Sequence, residues 1–257
     1  MYNYKMTVSY DGSNFRGWQK QGNTDNTIQG KLESIAGSLA ETFGVGGEAV
    51  DVNGAGRTDA GVHAVGQTAN FKLRKYAEAS YVKEYFNKYL PEAIRVVAVE
   101  EADERFHARL CAVKKTYRYN IFVGEEMNVF LRKYAYFPDL KEKSLDLDAM
   151  RQAAERLVGI HDFSGFCTKV PKNKSAVRKI YSVNISESDL VKGLVTVEFC
   201  GNGFLYNQVR IMTGTLLEIG EGKRTAESIG DIFKANDRAM AGFTAPPYGL
   251  MLMSVEY

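Results

Sequence analysis

Cysteine, histidine, tryptophan and proline are scarce in this sequence of 257 residues, which contains three, three, one and five of them. The three cysteines, Cys111, Cys167 and Cys200, are far apart, and no pair has the spacing of a metal-binding motif. An odd number of scattered cysteines is typical of reduced, structural residues in a cytoplasmic protein. The sequence therefore predicts neither a disulfide framework nor a metal site.

Long apolar runs and a strong net charge are also missing. No run approaches the ~18 apolar residues that a membrane-spanning helix needs. The amino-terminal MYNYKMTVSYDG alternates like a strand and lacks the apolar core of a signal peptide. The formal net charge is only +2, so no global basic field indicates nucleic acid. We therefore expect a globular cytoplasmic protein without a membrane segment.

The hydrophobic patterns predict an α+β protein built from two similar βαββαβ-like halves. In the first half, strands are expected at 4–10, 49–53, 67–73 and 94–99, and helices at 28–43 and 78–89. In the second half, strands are expected at 115–123, 134–137, 177–186, 191–200 and 250–257, and helices at 145–158, 204–219 and 225–235.

A change from acidic to basic residues near 103–113 suggests the boundary between the halves, which gives domains 1–105 and 106–257. Each domain is expected to be an antiparallel sheet backed by helices. Because clefts between domains are favoured ligand sites, we expect the active-site cleft between them.

Basic residues cluster locally and alternate with aromatic ones, despite the low net charge. The clusters are the loop 15–20, with Phe15, Arg16, Trp18 and Lys20, the stretch 105–119, with Arg105, Phe106, His107, Arg109, Lys114, Lys115, Tyr117, Arg118 and Tyr119, and the stretch 169–179, with Lys169, Lys172, Lys174, Arg178 and Lys179. Cations neutralise phosphates and aromatic faces stack on bases. A solvated strand face would explain any single cluster, but three clusters favour a polyanionic partner.

The stretch NGAGRTDAGVHAVGQTANF, residues 53–71, is unusual for a loop between strands, with little expected to be buried before Val65. A phosphate cradle is disfavoured because Asp59 stands where the dinucleotide fingerprint needs its third glycine, and a carboxylate would repel a pyrophosphate. A metal site lacks support, since the histidines other than His63 are isolated. A plain turn explains the glycines, but explains less well why Arg57 and Asp59 stand together.

This loop and four further segments resemble the tRNA pseudouridine synthase A family. The other segments are YDGSNFRGWQKQ, FHAR followed by AVKKTYRY, HDFSGFC with NGFLYNQVRIMTGTLLEIG, and TAPPYGLMLMSVEY, in family order along nearly the whole chain. The resemblance implies the pseudouridine synthase fold and conversion of uridine to pseudouridine at positions 38, 39 and 40 in the anticodon stem-loop of tRNA. It also implies a homodimer that needs no cofactor.

The resemblance assigns roles to individual residues. Asp59, within the catalytic loop 53–66, matches the nucleophile, and Arg210 matches the arginine that keeps this carboxylate ionised. Arg57 would fill the space left by the flipped uridine. Tyr117 would bind the uracil by stacking, although strand periodicity does not settle whether its ring faces the core. Weaker candidates for RNA contact are His63, Arg109, Arg16 and Trp18.

Two rival functions remain open from the sequence. One is a non-catalytic RNA-binding module that uses its sheets and basic clusters alone, and the other is a hydrolase or other small-molecule enzyme with incidental basic patches. The sequence also leaves open whether Asp59 attacks the sugar directly or whether the reaction proceeds through elimination.

Overall fold

The computed structural model describes residues 1–44, 49–140, 144–170 and 175–257. The chain forms two compact units, the first made of Met1–Val113 with Leu252–Tyr257, and the second of Lys114–Met251. Lys172 and Lys174 of the third basic cluster lie outside the described residues.

The helices and strands follow one another in the order β1 (Tyr2–Tyr10), α1 (Ile28–Thr42), β2 (Asn53–Gly54), β3 (His63–Leu73), α2 (Ala79–Tyr89), β4 (Ile94–Ala102), β5 (Lys114–Phe122), α3 (Leu147–Glu155), β6 (Gly159–Asp162), β7 (Val177–Glu187), β8 (Leu194–Gly201), α4 (Gln208–Gly220), α5 (Ser228–Ala235) and β9 (Leu250–Glu256). Short 3-10 helices lie at Ser164–Phe166, Arg238–Met240 and Pro247–Gly249. Within the described residues, no helix is both long and apolar enough to cross a membrane.

The first unit has the predicted order β-α-β-β-α-β, and its strands lie in the order β4-β1-β3-β9. β1 pairs antiparallel with both β3 and β4. Its alternating residues Tyr4, Met6, Val8 and Tyr10 are buried, as a strand with one apolar face requires. Helix α1 covers the core with Ile28, Leu32 and Leu39, and begins where the Thr27 hydroxyl accepts a hydrogen bond from Gly30 N.

The predicted domain boundary after residue 105 lies inside the first unit. Side chains of the sheet hold the segment that follows it. The Asn3 amide donates to the Phe106 carbonyl (2.9 Å), the Ala108 N–H donates to Asn70 Oδ1 (2.9 Å), and the Tyr257 hydroxyl donates to the Ala108 carbonyl (2.8 Å). These contacts explain why the first unit continues to Val113.

The second unit contains the antiparallel strands β5-β8-β7-β6. Strand β6 was not predicted from the sequence. The strand expected at 134–137 is wrong, since only an isolated bridge joins Tyr136 to Ile121. The helix expected from residue 204 begins four residues later, at Gln208, because Asn207 adopts a left-handed backbone. Nearly every residue of α4 is buried, so this helix forms much of the core of the unit.

Both units are thus antiparallel sheets with helices, as predicted for an α+β protein. The strand expected at 49–53 is confirmed only at Asn53, because β2 consists of Asn53 and Gly54, paired with Asn70 and Ala69 of β3. The turn between β2 and β3 is the loop that carries Arg57 and Asp59.

Candidate active site

The loop between β2 and β3 is fixed to the first unit by its own backbone and side chains. The Thr58 hydroxyl is hydrogen-bonded to the Tyr10 hydroxyl (2.8 Å), and the Thr58 carbonyl accepts from Trp18 N (3.0 Å). The Gln67 amide donates to the Gly56 carbonyl (2.7 Å). Burial raises the pKa of the Tyr10 hydroxyl, so this group remains protonated and able to donate. These bonds anchor the loop at Gly56 and Thr58, directly before Asp59.

The expectation that little is buried before Val65 is wrong. Thr58 and Val62 are buried, whereas Val65 is 49% exposed. Small buried side chains therefore hold the loop in place of the large apolar side chain that its sequence lacks. The loop is held in place although its composition is typical of a turn.

Trp18 packs against this loop. Its side chain is 2% exposed, and its indole packs so closely on Gly54 that a Cβ there would overlap the ring. The neighbouring Gly17 has φ of +93°, and a Cβ on it would lie 2.8 Å from the Thr58 carbonyl oxygen. Glycine is therefore required at both positions by close approach. The structure thus gives Trp18 a packing role, and its RNA contact stays a prediction.

His63 is also a structural residue. Its side chain is 4% exposed, and Nδ1 lies 3.1 Å from Gly12 N and 3.2 Å from Asp11 Oδ1. A neutral ring with unprotonated Nδ1 would accept from Gly12 N–H, whereas a protonated Nδ1 would donate to Asp11, so the two contacts need opposite protonation states. We favour the first, because the backbone N–H has one fixed donor direction. His63 therefore joins the loop to the segment that follows β1, and its RNA contact stays a prediction.

Asp59 and Arg57 lie on the outer part of the same loop. Asp59 is half-buried and its carbonyl accepts from Val62 N (3.1 Å), while Arg57 is exposed. The anchored neighbour Thr58 separates them. The loop thus carries a carboxylate and a guanidinium two residues apart, on a backbone that is anchored at Gly56 and Thr58.

Tyr117 lies on β5 in the second unit, opposite Phe199 of β8. It is 8% exposed, and its ring meets the Phe204 ring edge-on, with centroids 5.3 Å apart. Tyr119, on the same face, is fully buried and donates to the Pro246 carbonyl (2.8 Å). Tyr117 and Tyr119 therefore lie on the same, largely buried face of β5.

Arg210 lies in the first turn of α4, also in the second unit. Its Nε donates to the Ala245 carbonyl (2.7 Å), and one terminal nitrogen donates to Asn207 Oδ1 (2.9 Å). The half-buried side chain is therefore held at two points, which fixes the plane of the guanidinium. Asn207 and Ala245 lie in segments that resemble family motifs, but the sequence assigned no role to either residue.

The basic and aromatic clusters separate in the structure. Arg16 and Arg109 are exposed, whereas Phe15, between the first strand and α1, is buried. Aromatic residues of these clusters thus mostly contribute to the core, and the exposed cations remain as candidates for RNA contact. Among the residues that the structure describes, no group of three or more His, Cys, Asp or Glu side chains could hold a metal ion.

Comparison with known proteins identifies the family. A family model described as tRNA pseudouridine synthase matches residues 6–110 and 153–257. The chain is 43% identical over 257 residues to tRNA pseudouridine synthase A 2 of Bacillus cereus (strain ZK / E33L), with 100% of both chains covered. It is 43% identical over 256 residues to tRNA pseudouridine synthase A of Geobacillus sp. (strain WCH70), with 98% of this chain and 97% of the relative covered. The family predicted from the motifs is confirmed: the chain belongs to the tRNA pseudouridine synthase family and is an isomerase that converts uridine in tRNA to pseudouridine.

Proposed function

We propose that this enzyme modifies uridines 38, 39 and 40 in the anticodon stem-loop of tRNA, with Asp59 as the nucleophile. The observation that carries this proposal is the state of the loop, in which a half-buried carboxylate stands on a backbone anchored at Thr58 and Gly56. A nucleophile gains from such anchoring because fixed geometry lowers the entropic part of the barrier. The match of Arg57-Thr58-Asp59 to the family motif supports the same choice.

The reaction makes three demands on the enzyme. The N1–C1′ bond must break, the uracil must turn over, and C5 must join C1′, so that a proton leaves C5 and N1 gains one. A carboxylate suits this sequence because it can stabilise or trap the electron-poor sugar carbon and can leave again. In a direct attack Asp59 would trap C1′ and leave again, whereas in an elimination it would take a proton from the sugar and return it later.

The target uridine must first leave the stack of its helix. We propose that the exposed guanidinium of Arg57, two residues before the nucleophile, occupies the vacated space. The long, charged side chain can hydrogen-bond to the bases or phosphates on either side of the gap. The exposed Arg16 and Arg109 would add phosphate contacts that are sensitive to salt.

We assign binding of the uracil to Tyr117, with its ring oriented by the edge-on contact with Phe204. We propose that Arg210 supports the Asp59 carboxylate through its positive charge, as the match of the Arg210 segment to the family motif implies. Its two hydrogen bonds to Asn207 and Ala245 support a fixed position for this charge. We further propose a cytoplasmic homodimer that acts without a cofactor.

Replacement of Asp59 by Asn tests the central assignment, because the amide keeps the size of the side chain and removes its charge. The assay is the release of tritium from tRNA labelled at uracil C5. We expect no detectable release, with a Kd for tRNA within about threefold of the wild type. The control is Asp51→Asn, which changes an exposed carboxylate just before β2 and should leave turnover unchanged. Turnover by Asp59→Asn would refute the nucleophile.

The positions are tested with four tRNA transcripts. Three carry uridine at 38, 39 or 40 alone within the anticodon arm, and the fourth carries none there. Tritium release is expected from the first three transcripts and not from the fourth. Release from the fourth transcript at a similar rate would place the modified uridine elsewhere in the tRNA.

A further inference from the structure

Asn207, directly before helix α4, has an unusual backbone. Its φ is 62° and its ψ is 5°, in the left-handed region. Among the described residues, Asn207 and Asn236 are the two non-glycine residues with positive φ. Asparagine tolerates this conformation better than most residues, but it still costs free energy, and such residues concentrate at functional sites.

The side chain of Asn207 does not cap the backbone of the helix that it precedes. Thr27 and Asp146 occupy the corresponding positions of α1 and α3, and each accepts a hydrogen bond from a backbone N–H of its helix. Asn207 is at the N-cap position of α4 and forms no such side-chain bond to the described part of that helix. Asn207 therefore does not form the stabilising side-chain cap that asparagine can provide at this position.

The oxygen that would cap the helix is used by Arg210 instead. Asn207 Oδ1 accepts from a terminal nitrogen of the Arg210 guanidinium at 2.9 Å. Since a guanidinium only donates, the amide must turn its oxygen toward Arg210 and its nitrogen away. That nitrogen donates to Thr168 Oγ1 at 2.9 Å, and the Thr168 N–H donates to the carbonyl of Tyr206 at 3.3 Å. The Asn207 amide is thereby held by Thr168 at its nitrogen and by Arg210 at its oxygen.

We infer that Asn207 is a positioning residue. With its left-handed backbone directly before α4, its side chain orients the Arg210 guanidinium instead of capping the helix. The inference rests on the role proposed above for Arg210. The Ala245 carbonyl fixes Nε, and Asn207 fixes a terminal nitrogen, so two acceptors define the plane of the group. With Asn207 removed, the guanidinium loses one of these two acceptors, and its charge is less firmly directed.

The test separates the side chain from the backbone. Asn207→Gly accepts positive φ without strain and removes both side-chain hydrogen bonds. We expect kcat for tRNA to fall by about 10-fold or more, because small displacements of a catalytic group cost rates of this size, while KM stays within about twofold. Asn207→Asp keeps an oxygen toward Arg210, and the Thr168 hydroxyl can turn to donate to the second oxygen. Its kcat should return to within about threefold of the wild type.

The matched control is Asn236→Gly, which makes the same change at the left-handed residue that ends α5. It should change kcat by less than about twofold, since Asn236 lies outside the contacts of Arg210. A purely structural role of Asn207 would instead lower the urea midpoint and leave kcat of the folded enzyme near the wild-type value, which would overturn the inference.

A double-mutant cycle with Arg210→Ala, measured in single turnovers, distinguishes the two proposals. If Asn207 acts through Arg210, Asn207→Gly adds less than about a twofold loss to Arg210→Ala. Additive losses would overturn the positioning role alone. A wild-type rate in Arg210→Ala would refute the proposed role of Arg210, whatever Asn207 does. If Arg210→Ala has no measurable rate, the contrast between Asn207→Gly and Asn207→Asp decides.

Discussion

The hydrogen bond between the hydroxyls of Tyr10 and Thr58 gives the sharpest test of how the catalytic loop is held. Both side chains are buried, and the two oxygens are 2.8 Å apart. Tyr10→Phe removes one hydroxyl, keeps the ring and leaves the Thr58 hydroxyl without this partner. We expect the loop to become looser next to Asp59, and kcat to fall by about 10-fold because the nucleophile is less well placed.

The expected loss of stability follows from the burial of this bond. A buried polar group that loses its partner costs about 1–3 kcal/mol, and an ordinary hydrogen bond contributes about 0.5–1.5 kcal/mol net. Tyr10→Phe should therefore lower the free energy of unfolding by about 1–2 kcal/mol. Urea unfolding followed by the fluorescence of Trp18, the single tryptophan of the chain, reports on the first unit, because Trp18 packs against this loop.

Tyr4→Phe is the matched control on the same face of β1. The Tyr4 hydroxyl donates to the Ala77 carbonyl and accepts from Ala77 N, each at 2.8 Å, so its removal should destabilise the unit at least as much. It lies at the far end of the strand from the loop and should leave kcat of the folded enzyme unchanged. Equal kcat values in Tyr4→Phe and Tyr10→Phe would refute the idea that this bond positions Asp59.

Three further changes probe the loop and the proposed uracil site, and a fourth, in α1, is the control for the third. Arg57→Ala should lower kcat/KM more than it weakens tRNA binding, and equal losses would reduce Arg57 to a phosphate contact. Tyr117→Phe should retain tRNA binding and slow turnover if the hydroxyl moves a proton, whereas full activity would remove that role. Gly54→Ala should cost about 1–3 kcal/mol of stability, because its Cβ overlaps the Trp18 ring. Gly37 lies within α1, and a Cβ added there has nothing within 4 Å. Gly37→Ala should therefore stabilise the protein by about 0.5–1 kcal/mol. Urea unfolding measures the effect of both glycine substitutions.

Local patterns predicted the regular elements well where one periodicity covers a whole element. The alternation in β1 and the helical spacing in α1 both appear in the structure. The prediction failed where a single backbone conformation decides. The helix expected from residue 204 could not be placed correctly, since nothing local shows that Asn207 takes a positive φ that delays its start.

The candidate site was only partly predictable for a related reason. The choice of Asp59 came from the motif, because the composition of its loop alone supports a turn. The partner of Thr58 is Tyr10, 48 residues away, and no sequence spacing indicates such a contact. Alternating basic and aromatic residues suggested a stacking surface, but the pattern does not reveal that Phe15 and Trp18 face the core.

Mapping of pseudouridine in tRNA from cells that lack this protein tests the central claim most directly. Complementation compares the wild type with Asp59→Asn. We predict that pseudouridine disappears at positions 38, 39 and 40 and nowhere else in tRNA, and that the wild type restores it while Asp59→Asn does not. Pseudouridine that persists at these positions without the protein, or returns with Asp59→Asn, would contradict the proposed function.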